Sequence, residues 1–588
     1  MPFDTDIEVG AISAPIIPNE LGLHVFFCDI HPYMFATVIV VDPTIPTNTL
    51  SPIGSVPLEL GKTVDLHKIV AETLPGLPTA SDLALRLVHT FFIITNPANW
   101  QQYSTVDTLW KPAYPGVQVT AHVAGGGAAT VNLDELLRGY FGEGGPTGAN
   151  PSAPYLKPLL HPVAPATPGV GQVWVDTQFE MMSQKNKPGT ATAVNAETFK
   201  VVRKVGLPGH GTHLGDGMNN PHNMWTDRDQ KVIYQTEWFD HYLSVFDRKT
   251  GTFVRRIDAG LAPAHVMTRT NNDQVHVSQN GDNNVREFDS LANGNGFLKD
   301  IPMQTVPNES AHPHAHWMSA DGDLMVSPNP DTENSTVYSF NSHHGNTAPV
   351  GHFPIATGMM PDSSKYYVAN FLDSSITVMR IVGRKPQVQG TISLLNLHIT
   401  DPANGMTYVT GGCATGLDLA AGAAACAPIG GLPIQIPVSP DGKYAIVANT
   451  MLAKILVIDT TTDRVVAKLD CDPGCHGAQF GAKKGGGYYA YVSSKFSNRM
   501  IVVDPHHGSD AAIVGSVLLT ATGLSQEAGT IDGTVIHNNY EGMGGQGVLP
   551  IPVVYNGWVQ HLPEEWMELL TYQQRHPFPG HHVDGDDK

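Results

Sequence analysis

The sequence predicts an all-β chain whose larger part is a seven-bladed β-propeller, and three observations predict it. Charged residues make up 15% of the 588, while Gly (59) and Pro (45) are abundant, so turns are frequent and long amphipathic helices few. Three short segments of one form recur: Pro221-His222-Asn223-Met224-Trp225, Pro263-Ala264-His265-Val266-Met267 and His314-Ala315-His316-Trp317-Met318. Their histidines at 222, 265 and 316 lie 43 and 51 residues apart, the length of a four-stranded blade. After each comes the same order of strand-like runs and hairpin turns.

Residues 21 to 42 form two β-rich runs around Cys28-Asp29-Ile30-His31-Pro32-Tyr33-Met34. Residues 51–165 are an irregular connecting region, with strand-like runs at Phe91 to Thr95 and Val117 to Val123 and one helix at Asn132 to Tyr140. From Gly171 the pattern becomes regular. Residues 222 to 257 make one complete unit, with Lys231–Gln235, Tyr242–Phe246 and Phe253–Ile257 as its later strands and Asp-Arg-Lys-Thr-Gly as a hairpin turn.

The order returns after His265 and His316, after Met359, after Ile436 and after His476. Six openings leave the seventh blade to the two ends of the propeller, Gly545 to Tyr555 inside and residues 171 to 206 outside. Such closure removes the free edges of an open array. The 77 residues from Met359 to Ile436 exceed one blade, so an excursion carrying Cys413 and Cys426 is expected there. Residues 166–560 are read as the propeller, and 561–588 as a C-terminal helix and acidic tail.

The formal charge of −20, from 34 Lys+Arg against 54 Asp+Glu, argues against nucleic acid or an anionic membrane as partner. No run reaches the ~20 apolar residues of a membrane helix, and the first twenty residues lack the pattern of a signal peptide. Cys413 with Cys426 and Cys471 with Cys475 are expected as local disulfides, leaving Cys28 alone. Oxidised pairs place the protein in the periplasm or outside the cell.

Cys28, His31 and Met34, in the spacing Cys-x-x-His-x-x-Met, resemble the copper loop that ends a cupredoxin, so residues 1–50 are read as a partial cupredoxin-like segment. The resemblance implies a type 1 copper for electron transfer. The blade order and the histidine-bearing opening segments resemble nitrous oxide reductase and, more closely, thiocyanate dehydrogenase, over roughly residues 166 to 560. That resemblance implies a multinuclear copper centre at the channel mouth, with His222, His265, His316, His476 and His537 as ligands and His314 and His213 as substitutes. Met359 and Ile436 stand where a family member offers a ligand. Lys187, with Lys185 near it, resembles in position a lysine beside the thiocyanate dehydrogenase site; Glu237, with Asp240 near it, is a candidate for orienting ligands from behind.

The function expected from the sequence is a copper-dependent oxidoreductase acting on a small inorganic N- or S-compound, with an electron-transfer protein and a second copy of the chain as candidate partners. The alternative is a non-catalytic propeller that binds metal or another protein.

Overall fold

The computed structural model describes residues 159–577 except 182–188, 208–217, 219, 304–309, 372–373, 395–396, 401–406, 411–431, 451–452, 473, 496, 507, 520–529, 532–533, 536–540 and 556–560. Before residue 159 it describes 22–27, 35–40, 64–65, 114, 118–122 and 128–135. The chain divides into two compact units, residues 1–159 with 410–429, and residues 160–409 with 430–588.

In the first unit Gly22–Phe27 and Phe35–Val40 pair antiparallel, with Phe27 opposite Phe35. These are the aromatic strand and the Val/Ile strand expected on either side of Cys28, His31 and Met34, which themselves lie outside the described residues. Val64–Asp65, Gln118–His122 and Ala128–Asn132 form a three-stranded sheet, so a strand falls where one was read near Val117 to Val123.

The second unit is a β-propeller of seven four-stranded antiparallel sheets. Blade I is Pro221–Thr226, Val232–Glu237, Tyr242–Asp247 and Phe253–Asp258. Blades II to VI open on Pro263–Thr268, Trp317–Met318, Pro354–Met359, Pro433–Gln435 and Cys475–Ala482. Blade VII takes its innermost strand, Glu541–Ile551, from the end of the propeller sequence and its other three, Gln172–Met181, Thr190–Asn195 and Lys200–Val205, from the beginning.

The second strand of each blade is sandwiched between neighbouring blades, and its residues show why. Val232–Glu237 is buried at every position, as is Tyr488–Ser494. Such strands carry β-branched and aromatic residues on both faces instead of alternating with polar ones. Fully burying each Val, Ile or Phe stabilises the fold by about 1.5–3 kcal/mol. Outermost strands face water, and Phe253–Asp258 accordingly mixes exposed Val254 with partly buried arginines.

One end of the channel is filled from the chain's own C-terminal side. Val553, Val554 and Tyr555 are buried. The Val553 N–H donates to Gln230 of blade I at 2.8 Å, the Tyr555 hydroxyl donates to Val438 O of blade V at 3.0 Å, and the Tyr555 ring stands 5.3 Å from Trp317 of blade III. A segment touching three blades around the ring must cross the axis. Beyond it, the expected C-terminal helix is two short helices, Glu564–Met567 and Tyr572–Arg575. Glu565 pairs with Arg248 of blade I, and the Gln574 amide donates to Lys483 O and Gly487 O of blade VI. Cys471 and Cys475 form the expected disulfide; Cys413 and Cys426 lie outside the described residues. No helix among the described residues is long and apolar enough to cross a membrane.

Candidate metal centre

A hydroxyl on the second strand sets the register at the channel mouth. Thr236 Oγ1 lies 3.1 Å from Asn223 O in its own blade and 2.8 Å from Ala264 O in the next. Ser278 Oγ does the same between His265 O and His314 O, at 3.3 and 2.6 Å, and Ser493 Oγ between Gly477 O and Gln546 O, at 3.5 and 2.6 Å. Asn223, His265 and Gly477 are therefore equivalent, and so are Ala264, His314 and Gln546 on the other side of each bond; His222 and His476, which precede Asn223 and Gly477 as Ala264 precedes His265, belong to this second set.

This register differs from the one the sequence spacing suggests. Three histidines, His222, His314 and His476, occupy one position on different blades, and His265 comes from the next position along. Both positions turn inward because the ladder is bulged at this point in blades I, II and VI, and a bulge re-aims neighbouring side chains. Gly477 stands where blade II has His265, since a Cβ there would come within 1.8 Å of Gln546 O.

His222, His265 and His314 converge, with one ring nitrogen from each lying within 4.8 Å of the others. The ring centroids are 5.5 Å apart for His222 and His265, 5.1 Å for His222 and His314, and 5.0 Å for His265 and His314. His476 stands 6.3 Å from His222. Trp238, which follows the second strand of blade I, covers the His222 ring at 4.3 Å.

Hydrogen bonds orient two of the rings. His314 Nδ1 donates to Ile355 O at 2.9 Å, which leaves its Nε2 with a lone pair. His222 Nδ1 is bonded to the Gln546 side-chain oxygen, and its Nε2 faces His314 Nε2 at 3.2 Å. Burial drives all of these imidazoles towards the neutral form: it pushes His222, His265 and His476 well below the usual value and His314 down to about 4. His265 and His476 are partly exposed although protein surrounds them densely.

His316 is placed differently. It lies two residues beyond His314 and just before Trp317, which pairs with Val326 as Met224 pairs with Gln235 in blade I; it is buried and is not among the three rings that converge. Neither ring nitrogen makes a hydrogen bond of good geometry, the His276 main chain being its nearest polar approach, and burial pushes it down to about 3. Glu237 is fully buried and committed within blade I, to the Arg256 guanidinium and the Ser244 hydroxyl. Burial raises its pKa, with Arg256 opposing. Lys187, His537, His213 and Lys185 lie outside the described residues.

Two residues at the mouth carry no motif and escape sequence reading. Asp176 in blade VII takes the place of the Thr236 hydroxyl and is completely buried. The Gly547 N–H and the Gln235 amide approach it without closing good hydrogen bonds, and burial pushes its pKa well above the carboxylate range. Lys495 follows the second strand of blade VI, as Trp238 follows that of blade I. The two share a bond that fixes the position, Lys495 N–H to Gly474 O at 2.7 Å and Trp238 N–H to Asn220 O at 3.1 Å. The signal for both is the end of a second strand, where the chain turns over the channel.

No protein-family model matches the chain, and no curated protein matches it. Similar solved structures include a periplasmic gluconolactonase from Pseudomonas aeruginosa, 13% identical over 59% of this chain and 96% of that one, with a TM-score of 0.42. A protein from Lactobacillus plantarum is 13% identical over 64% and 98%, with a TM-score of 0.43. A virginiamycin B lyase from Staphylococcus aureus is 12% identical over 49% and 81%, with a TM-score of 0.35. The two with a named activity are a lactonase and a lyase, not copper enzymes. At these values the likenesses carry no argument, and the blade assignment rests on the strand ladders of this chain.

Proposed function

We propose that the channel mouth holds a transition-metal ion on His222, His265 and His314, and that the protein is an oxidoreductase acting there on a small inorganic N- or S-compound. The observation that supports this reading is the convergence of three neutral imidazoles with the His222 and His314 Nε2 atoms 3.2 Å apart. Two metal–nitrogen bonds of about 2.0 Å at the tetrahedral angle put their nitrogens about 3.3 Å apart. An imidazole ligand typically donates its other N–H to an oxygen, as His314 does to Ile355 and His222 to Gln546. Copper is the ion favoured by an all-imidazole set, since it heads the affinity order of the divalent first-row metals.

Such an ion supplies Lewis acidity and one-electron transfer. The chain's own residues do the rest. Ile355 O and Gln546 fix the tautomers, Trp238 walls one side, and Val553 to Tyr555 close the far end, so substrate and product use one mouth. In the metal-free protein the Gln546 amide turns over, donates to His222 Nδ1, and lets His222 Nε2–H donate to His314, which satisfies the same residues without an ion. The Cys471–Cys475 disulfide fits the proposed oxidising compartment. A type 1 copper at Cys28, His31 and Met34, an electron-transfer partner and a homo-oligomer remain part of the proposal.

The test is turnover by copper-loaded protein on a panel of small inorganic nitrogen and sulfur compounds with an artificial electron acceptor or donor. Activity that disappears in His314→Ala supports the reading. A copper-loaded protein that turns over none of them leaves the metal-binding scaffold as the function.

A further inference from the structure

Each blade ends in an outer strand with a free edge, and such an edge pairs with another chain unless charge, proline or a covering segment blunts it. Six of the seven outer strands are blunted. Phe253–Asp258, Phe297–Pro302, Arg464–Asp470 and Lys200–Val205 each carry at least two charged residues. His344–Pro349 is short and ends on a proline, which has no N–H to offer. Ala512–Leu518 has no charge, and the chain covers it itself: the Val163 N–H donates to Ser516 O and the Ser516 N–H to Val163 O, both at 2.9 Å.

The outer strand of blade IV has none of these devices. Lys385–Ser393 is nine residues long, against six or seven in the other blades. From Gln387 to Ser393 it reads Gln-Val-Gln-Gly-Thr-Ile-Ser, with no charge and no proline, a composition that self-associates when it lies on an open edge. Its one partner among the described strands is Ser375–Val382. Val388 is 48% exposed, and Gln387, Gln389, Thr391 and Ser393 are exposed as well. The extra length comes from a hairpin tip in which Val382 faces Lys385. Its turn residues Gly383 and Arg384 both have positive φ, the two-residue turn that fits the twist of paired strands.

We propose that this edge binds a second copy of the chain, the two Lys385–Ser393 strands pairing antiparallel across a two-fold axis so that two blades IV form one continuous sheet. An antiparallel edge is its own complement, and the pair closes at two copies with no edge left over. Charge selects the same place. The chain carries a formal charge of −20, so two copies repel over most of their surface. This strand brings no charge beyond Lys385, and its hairpin tip carries three exposed cations, Arg380, Arg384 and Lys385. Across the two-fold axis the two tips lie at opposite ends of the joint sheet, so the cations of one copy do not oppose those of the other. The proposal gives the homo-oligomer named above its surface and does not depend on the metal.

The test is the mass of the full chain in solution, by sedimentation equilibrium over a concentration series, with hydrogen exchange of the 387–393 amides on the same samples. Wild type should be a dimer whose 387–393 amides exchange more slowly as concentration rises. Val388→Lys with Thr391→Lys changes exposed side chains only and sets like charges against each other across the axis. Such a juxtaposition costs several kcal/mol, so dimer affinity should fall by at least about ten-fold, with the melting temperature of the monomer and the copper content unchanged. Val254→Lys, on the outer strand of blade I, should leave the dimer intact. A wild-type chain that is monomeric throughout the series overturns the proposal, as does a dimer that the paired lysines do not weaken. Amides 387–393 protected equally at every concentration would place a segment of the same chain on the edge and overturn the second copy. None of these outcomes bears on the metal reading, which the copper content tests separately.

Discussion

His222 and His314 face each other through Nε2 atoms 3.2 Å apart, 92 residues apart in sequence and on blades I and III. Each ring has its Nδ1 bonded to an oxygen, Gln546 for one and Ile355 for the other. With a cation bound, both Nε2 atoms turn lone pairs to it; without one, the other His222 tautomer lets Nε2–H donate to His314, and His265 completes the set from blade II. The seven-blade ring thus gathers residues that no local motif could join.

His316 is expected to be dispensable for metal binding. It is buried with no good hydrogen bond. Replacing a buried, unsatisfied polar ring by a similar apolar volume relieves a penalty of about 1–3 kcal/mol. His316→Met should therefore keep its copper and unfold at the same or a higher temperature; loss of copper by elemental analysis would make His316 a ligand.

Acid should destabilise the protein in a defined window. His314 has its folded pKa lowered to about 4, below the ~6.5 of an unfolded chain. Between these values the unfolded chain binds more protons, so stability is full above the unfolded pKa and falls as pH drops towards the folded one, by on the order of 3 kcal/mol for this group. Denaturant unfolding from pH 7 to 4 should show that loss, with copper released over the same range because protons compete for the same nitrogens. A flat profile would contradict the neutral, buried imidazoles.

Asp176 stands where other blades carry a hydroxyl. Its folded pKa is raised, so its cost grows as pH rises above the ~3.9 of an unfolded Asp. Asp176→Thr, which restores the residue of blade I, should raise stability at pH 7 and leave it nearly unchanged at pH 4. Equal gains at both pH values would mean that protonation is not the cause.

Glu237 is expected to hold blade I together rather than to act on substrate. Removing one partner from a buried pair typically costs about 3–5 kcal/mol, and Arg256 is partly exposed, which places Glu237→Ala near the lower end. The folded variant should bind copper with wild-type stoichiometry. Loss of copper at unchanged melting temperature would assign Glu237 to the site instead.

The repeat of strands and turns made the propeller legible, and the lone strand-like run at Gly545 to Tyr555 made its closure legible as well. The bulge was not. Spacing alone aligns His222 with His265, whereas the Thr236 and Ser278 hydroxyls show that His265 is equivalent to Asn223. One residue of register decides which of His314 and His316 turns inward, and the only sequence trace of it is an opening segment of uneven length. Trp238, Lys495 and Asp176 matter through what they lie beside, which strand periodicity does not encode.

The most direct measurement is the copper bound per chain, by elemental analysis after reconstitution and dialysis, in wild type, His222→Ala, His314→Ala and His316→Met. The account predicts bound copper in wild type and in His316→Met, with affinity reduced at least about ten-fold in each of the two alanine variants, the loss of one ligand bond. Wild-type protein that retains no copper, or alanine variants that retain as much as wild type, would contradict it.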